Sequence, residues 1–174
     1  MADWEDCIEA ARRKIRIAEY HRGALNVSLV PAADELMPPI AVQASFEGVV
    51  ISVVAAMDQV AQAANYAWGL GDSPGDLFAK ASAAIESRIP AFGSWLANPI
   101  GRDLRRLRTK IVHYTYVKES VAGREWHVQG TGIQYDGSRE LVAYVGEVLA
   151  HGAELIRLAD EVELVMQSDV GAGS

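Results

Sequence analysis

Apolar residues recur at helical spacing through most of the chain. In the first segment Trp4, Ile8, Ala11, Ile15 and Ala18 repeat every three or four positions, behind Asp3 as a cap and an acidic first turn. This predicts a helix that runs until Pro31 and the PAADELMPP stretch break it. A second helix is expected from about Pro39 to Trp68, where Phe46, Val49, Val50, Val53, Met57, Val60, Ala61, Ala64 and Trp68 keep the same spacing. Its apolar positions wrap around much of the circumference, which marks it as the central helix.

GLGDSPGD reads as a turn, and Ser73-Pro74 opens a short third helix that ends near Pro90. Asn98-Pro99 repeats the start signal and opens a fourth helix through LRRLRTKIVHY. After Gly123 the pattern changes. EWHVQGTGIQYDG alternates weakly about its Gly-Thr-Gly and reads as a small hairpin or ordered loop. Ser138 then caps a last helix to about Met166, with Leu141, Val145, Val148, Leu155, Ala159 and Val162 on one face. The expected fold class is all-α: an up-and-down helical bundle of about five helices with a small hairpin or ordered loop before the last helix. One domain accounts for residues 1–174, with 167–174 as a frayed tail.

Composition sharpens this picture in three ways. Half of the 174 residues are hydrophobic and 22% are charged, a globular balance. Cys7 is the only cysteine, so an intramolecular disulfide is excluded and a reducing, cytoplasmic compartment is expected. The acidic N-terminus does not follow the order of a signal peptide. GVVISVVAAM is too short a run to span a bilayer, so no membrane partner is expected. The net charge of −7 argues against non-specific coating of nucleic acid.

Charge is nevertheless uneven. Residues 101–125 carry seven basic side chains against three acids, a local excess of about +4 that leaves about −11 elsewhere. Projected at about 100° per residue from Leu104, the fourth helix places Leu107, Ile111 and Tyr114 on one stripe. Arg108 falls inside that stripe at about 40°. A guanidinium there must find an acceptor, reach solvent or face a second subunit. Asp58 on the second helix is the best single ion-pair partner, with Gln59, Gln62 and Asn65 near it in sequence. No Walker-type loop, HExxH, CxxC or ExxH is present, and no metal or cofactor is expected.

The stretch RTKIVHY resembles the signature of the HEPN family (higher eukaryotes and prokaryotes nucleotide-binding domains), helical bundles with an R-x4-6-H motif. Arg108 and His113 match at the x4 spacing, Arg106 matches at x6, and Thr109 fills the polar position after the arginine. Arg16 and His21 share the spacing in the first helix, but Ile17 follows the arginine and the setting is wrong. The resemblance implies a metal-independent endoribonuclease in which Arg108 holds the phosphate and His113 transfers protons. Arg102, Arg106, Thr109, Tyr114 and Tyr116 are accessory or phosphate-binding candidates. The family's toxin subgroup has tyrosine two residues after the histidine; here that position is Thr115, between Tyr114 and Tyr116.

The same resemblance implies a homodimer with two motifs in one cleft, RNA or a nucleotide as ligand, and a toxin or defence role with a cognate antitoxin as partner. A competing reading is a non-catalytic HEPN-like module that binds a nucleotide, an RNA or a protein. A third is an unrelated bundle in which Arg108 is paired in the core. His127 and Trp126 read as a loop histidine beside a packing tryptophan, His151 as a surface or tightly packed position, and Trp4, Trp68 and Trp95 as core or interface residues.

Overall fold

Six helices and one two-stranded ribbon follow in chain order: α1 (Trp4–Ser28), α2 (Pro38–Trp68), α3 (Leu77–Glu86), α4 (Pro90–Ala97), α5 (Pro99–Lys110), β1 (Thr115–Glu119), β2 (Trp126–Gly130) and α6 (Leu141–Gly171). The computed structural model describes residues 3–28, 38–71, 77–110, 115–119, 126–130 and 141–171. For 38–40, 105–110, 115–119, 126–130 and 170–171 the description is of the backbone alone. The fold is an all-α helical bundle carrying a small antiparallel ribbon.

Local signals explain where the described helices begin and end. Asp3 Oδ1 accepts the backbone N–H groups of Glu5 and Asp6, both at 3.1 Å, satisfying donors that the first turn of α1 leaves open. α2 stops at Gly69, whose φ of +61° suits a glycine and whose N–H donates to the Asn65 carbonyl at 2.8 Å. Asn98 caps α5 as the Asn-Pro signal predicts: its Oδ1 accepts the Ile100 N–H at 2.9 Å. The caps expected at Ser73 and Ser138 lie outside the described residues.

The core forms where α1, α2 and α6 meet. Ile8, Ala11, Ile15 and Ala18 of α1 are buried, and so are Phe46, Val49, Val50, Val53, Met57, Val60, Ala61 and Ala64 of α2. Every apolar position predicted for the last helix, from Leu141 to Val162, is buried too. All three helices pack tightly at Gly152, where an added Cβ would lie 2.9 Å from Ile15 Cδ1 and 3.4 Å from Val53 Cγ2. Beside this crossing Arg12 of α1 donates to Asp160 at 2.8 Å and Glu163 at 2.5 Å, both on α6. Residues 41–68 of α2 are long and apolar enough to cross a bilayer by length and composition, yet more than half of the most apolar window is buried in the bundle. That is how a central core helix behaves.

Three expectations need correcting. The sequence reading stopped the third helix near Pro90 and left 90–97 unassigned, but Pro90 begins α4 at its first helical position. Proline there lacks only an N–H that would find no helical acceptor, so it opens α4 after α3 has already stopped at Glu86. The ribbon pairs Thr115–Glu119 with Trp126–Gly130, with Val117 opposite Val128. Its connection is therefore residues 120–125, and Gly-Thr-Gly does not supply the turn. Thr115, Tyr116 and Val117 are strand-favouring residues, and they give Trp126–Gly130 an upstream partner.

The third correction concerns the tail. α6 continues past the expected end at Met166 to Gly171. Asp169 accepts from Arg88 Nε at 3.3 Å, and the same guanidinium lies 4.2 Å over the Trp68 ring. This joins the end of α6 to the ends of α2 and α3.

Candidate functional site

α5 is anchored on one side by Ile100 and Leu104, both buried, and it packs against α2, α4 and α6. The opposite side begins with exposed Arg102. Arg106, Arg108 and Thr109 occupy the second half of this helix, but their side chains lie outside the description. The same holds for the side chain of Tyr116 in β1, while His113 and Tyr114 fall between Lys110 and Thr115, outside the described residues altogether. Asp58, the expected partner of Arg108, is half-buried on α2. β1 packs on α2 and β2 on α6, so α5 and the ribbon both rest on the α2–α6 pair.

The alternative Arg16–His21 pair is structural. Arg16 is exposed and donates to Glu9 at 2.9 Å, while the His21 ring covers Gly48 so closely that a Cβ there would meet its Cγ at 2.5 Å. The chain also contains one G-x-S-x-G match, Gly71-Asp72-Ser73-Pro74-Gly75. That motif works on a strand-to-helix elbow, whereas here it follows helix α2 in the sequence. Cys7 is buried. Burial first, then the charges of Asp6 and Asp3, push its thiol above the ordinary range, the reverse of what a nucleophilic cysteine needs. Among the described residues no group of His, Cys, Asp and Glu is placed to hold a metal ion.

A cleft of about 650 Å³ lies between α4, the start of α5 and α6, lined by Ala91, Ser94, Trp95, Asn98, Ile100, Glu147, Ala150, His151 and Glu154. Its inner wall is a ring stack: Trp95 and His151 lie 4.3 Å apart and 8° from parallel. Trp95 Nε1 donates to the His151 carbonyl at 3.0 Å, fixing α4 to α6 through a buried hydrogen bond. His151 is 6% exposed, and its Nε2 would lie 2.9 Å from a Cβ at position 101. Only glycine lets α5 pass this ring. Glu154 is held by Arg157, whose Nε and Nη2 both donate to it. That hydrogen bonding is the main reason its carboxyl lies below the ordinary range.

No protein-family model, no curated protein and no solved structure matches the chain. The reading of this site therefore rests on its own residues.

Of the residues singled out from sequence, Arg102 is on the α5 surface and Asp58 is half-buried on α2, while the Arg108 side chain and His113 lie outside the described residues. The cleft residues were missed. Glu147, Ala150, His151 and Glu154 recur at i, i+3, i+4 and i+7 on α6, and Ala91, Ser94 and Trp95 on α4 keep the same spacing with Asn98 at its C-cap. Each spacing is visible in the sequence, but only the pairing of the two helices turns them into opposite walls.

Proposed function

We propose that this protein is a HEPN-like, metal-independent endoribonuclease, acting as a homodimer in the cytoplasm as a toxin or defence component under the control of an antitoxin partner. The observation that carries the reading is the R-x4-H pair at the end of a basic helix. Arg108 belongs to the last turn of α5, and His113 falls in the four residues between that helix and β1. Buried Ile100 and Leu104 anchor the first half of the helix, so its basic second half has a firm base.

The chemistry follows from the residue types. Arginine keeps its charge and offers a planar fork of donors to phosphate oxygens, stabilising the crowded phosphorane. Histidine titrates near neutrality and moves the 2′-hydroxyl proton or protonates the leaving 5′-oxygen. Arg102, Arg106 and Thr109 extend the phosphate-binding surface, and Tyr114 and Tyr116 flank the histidine as accessory groups. A second copy supplies the second proton-transfer group. Incubation with RNA in EDTA is expected to give fragments ending in 2′,3′-cyclic phosphate and 5′-hydroxyl. Intact RNA under those conditions, with the protein folded, leaves instead a non-catalytic HEPN-like binding module, a reading that Thr109 in place of the commoner asparagine, aspartate or histidine favours.

A further inference from the structure

The side of the α1–α2 pair turned away from the core carries an apolar face. Ile15 and Val53 meet at Gly152 of α6, and His21 lies over Gly48. Residue numbers therefore fall along α2 as they rise along α1, and the two helices run antiparallel. Ile17 lies about 160° round its helix from Ile15, and Ile51 lies as far round from Val53, so both turn away from α6. They stand level with each other and exposed, at 37% and 48%. Tyr20 and Val27, each 74% exposed, extend the α1 stripe. Four large apolar side chains this open present about 500 Å² of apolar surface, the upper range for one patch on a monomeric protein.

The two stripes differ in bulk. α1 presents Ile17, Tyr20 and Val27, whereas α2 presents Ala41, Ala44, Gly48 and Ala55 beside Ile51. Each set repeats at three and four and falls within about 80° of its helix. The pair thus carries both knobs and holes, which a self-complementary contact requires. We infer that this face is a homodimer interface: a second copy of the chain packs on it about a twofold axis along the helices, α1 of each copy lying on α2 of the other. Such an axis keeps every residue at its own level. Tyr20 then meets Gly48 of the second copy, Val27 meets its Ala41 and Ala44, and Ile17 meets its Ile51.

Charge favours the same pairing. α2 carries Glu47 and Asp58 and no lysine or arginine. Arg13 is exposed on the α1 stripe, without an ion pair among the described residues, and comes level with Ala55, one turn from Asp58. Packing α1 on α1 would instead set Arg13 against Arg13 and Tyr20 against Tyr20. With its alanines and charged rim the contact reaches the roughly 800 Å² per partner of a stable dimer. This face gives the homodimer proposed above its interface, and it stands whether or not the chain cuts RNA.

Sedimentation equilibrium of the intact protein at micromolar concentration is expected to give twice 18.8 kDa. Tyr20→Glu and Ile51→Glu, both at exposed helical positions, should each weaken the dimer about a hundredfold while circular dichroism and the urea midpoint of the chain persist. Leu164→Glu, 66% exposed on α6 and off this face, should leave the dimer intact. Under mild oxidation an Ala24→Cys chain mixed with an Ala44→Cys chain should form a disulfide-linked pair that neither forms alone; Cys7 is buried and does not compete. A monomeric native chain would overturn the proposal. So would a dimer that survives both substitutions on the face, or an Ala24→Cys chain that links to itself. A dimer broken by both substitutions that leaves RNA intact supports this interface and sinks the nuclease reading alone.

Discussion

Gly101 sits where the α4–α6 contact leaves least room for α5. A methyl group there would lie 2.9 Å from His151 Nε2 and 3.2 Å from the Leu96 carbonyl, and the carbonyl belongs to backbone that cannot rotate aside. Alanine is the better helix former by about 1 kcal/mol, but overpacking of this kind costs about 1–3 kcal/mol. Gly101→Ala should therefore lower stability by about 1 kcal/mol in urea unfolding. Gly146 is the control: nothing lies within 4 Å of its added Cβ, so Gly146→Ala should raise stability by about 0.5–1 kcal/mol. Both are plain helical glycines in the sequence, and only the distance to a neighbouring helix distinguishes them.

Cys7 gives a residue-scale test with a definite sign. Its thiol is pushed up from the ordinary 9.0 in the fold, so the folded chain favours the protonated form. The corresponding stability is fully present below pH 9 and is lost as pH rises through the folded value. The urea midpoint should fall above pH 9, and Cys7→Ala should lose the part of that fall that belongs to the thiol. A fall of unchanged size in the variant would assign the alkaline loss to other groups.

At the scale of elements, the sequence spoke clearly wherever one residue has one physical job. Asp3 and Asn98 are predicted caps and are observed ones. Asn98→Ala should cost about 1 kcal/mol in unfolding free energy, since the Ile100 N–H loses its acceptor at the start of α5. Where a residue can do two jobs, the reading divided. Pro90 was expected to mark the end of a helix, but α3 already stops at Glu86 and Pro90 starts α4, where its fixed φ and missing N–H are both tolerated. The ribbon was half legible: Trp126–Gly130 was expected in extended structure, but its partner Thr115–Glu119 follows so closely on the LRRLRTKIVHY helix that its short alternation was hidden. Asp169 looked like part of a loose tail because the arginine that meets it is 81 positions earlier.

For the whole molecule, the three-helix core was readable because burial follows periodicity. Apolar positions spaced at three and four on the first, second and last helices converge on one contiguous cluster. The cleft was not readable, since a groove depends on which small residues face each other across two helices. The spacing of Arg108 and His113 and the local charge are sequence features, and the fold adds only that Arg108 belongs to the last turn of a helix whose first half is fixed against α2 and α6.

Cleavage of a single-stranded RNA in EDTA by the native protein and by Arg108→Ala and His113→Ala, each checked for native circular dichroism, tests the central claim most directly. The account predicts cleavage by the native chain and a loss of about 10²–10⁴-fold in each variant, the scale of a missing proton-transfer group. Cleavage that persists unchanged in His113→Ala, or none at all in the native protein, would contradict it.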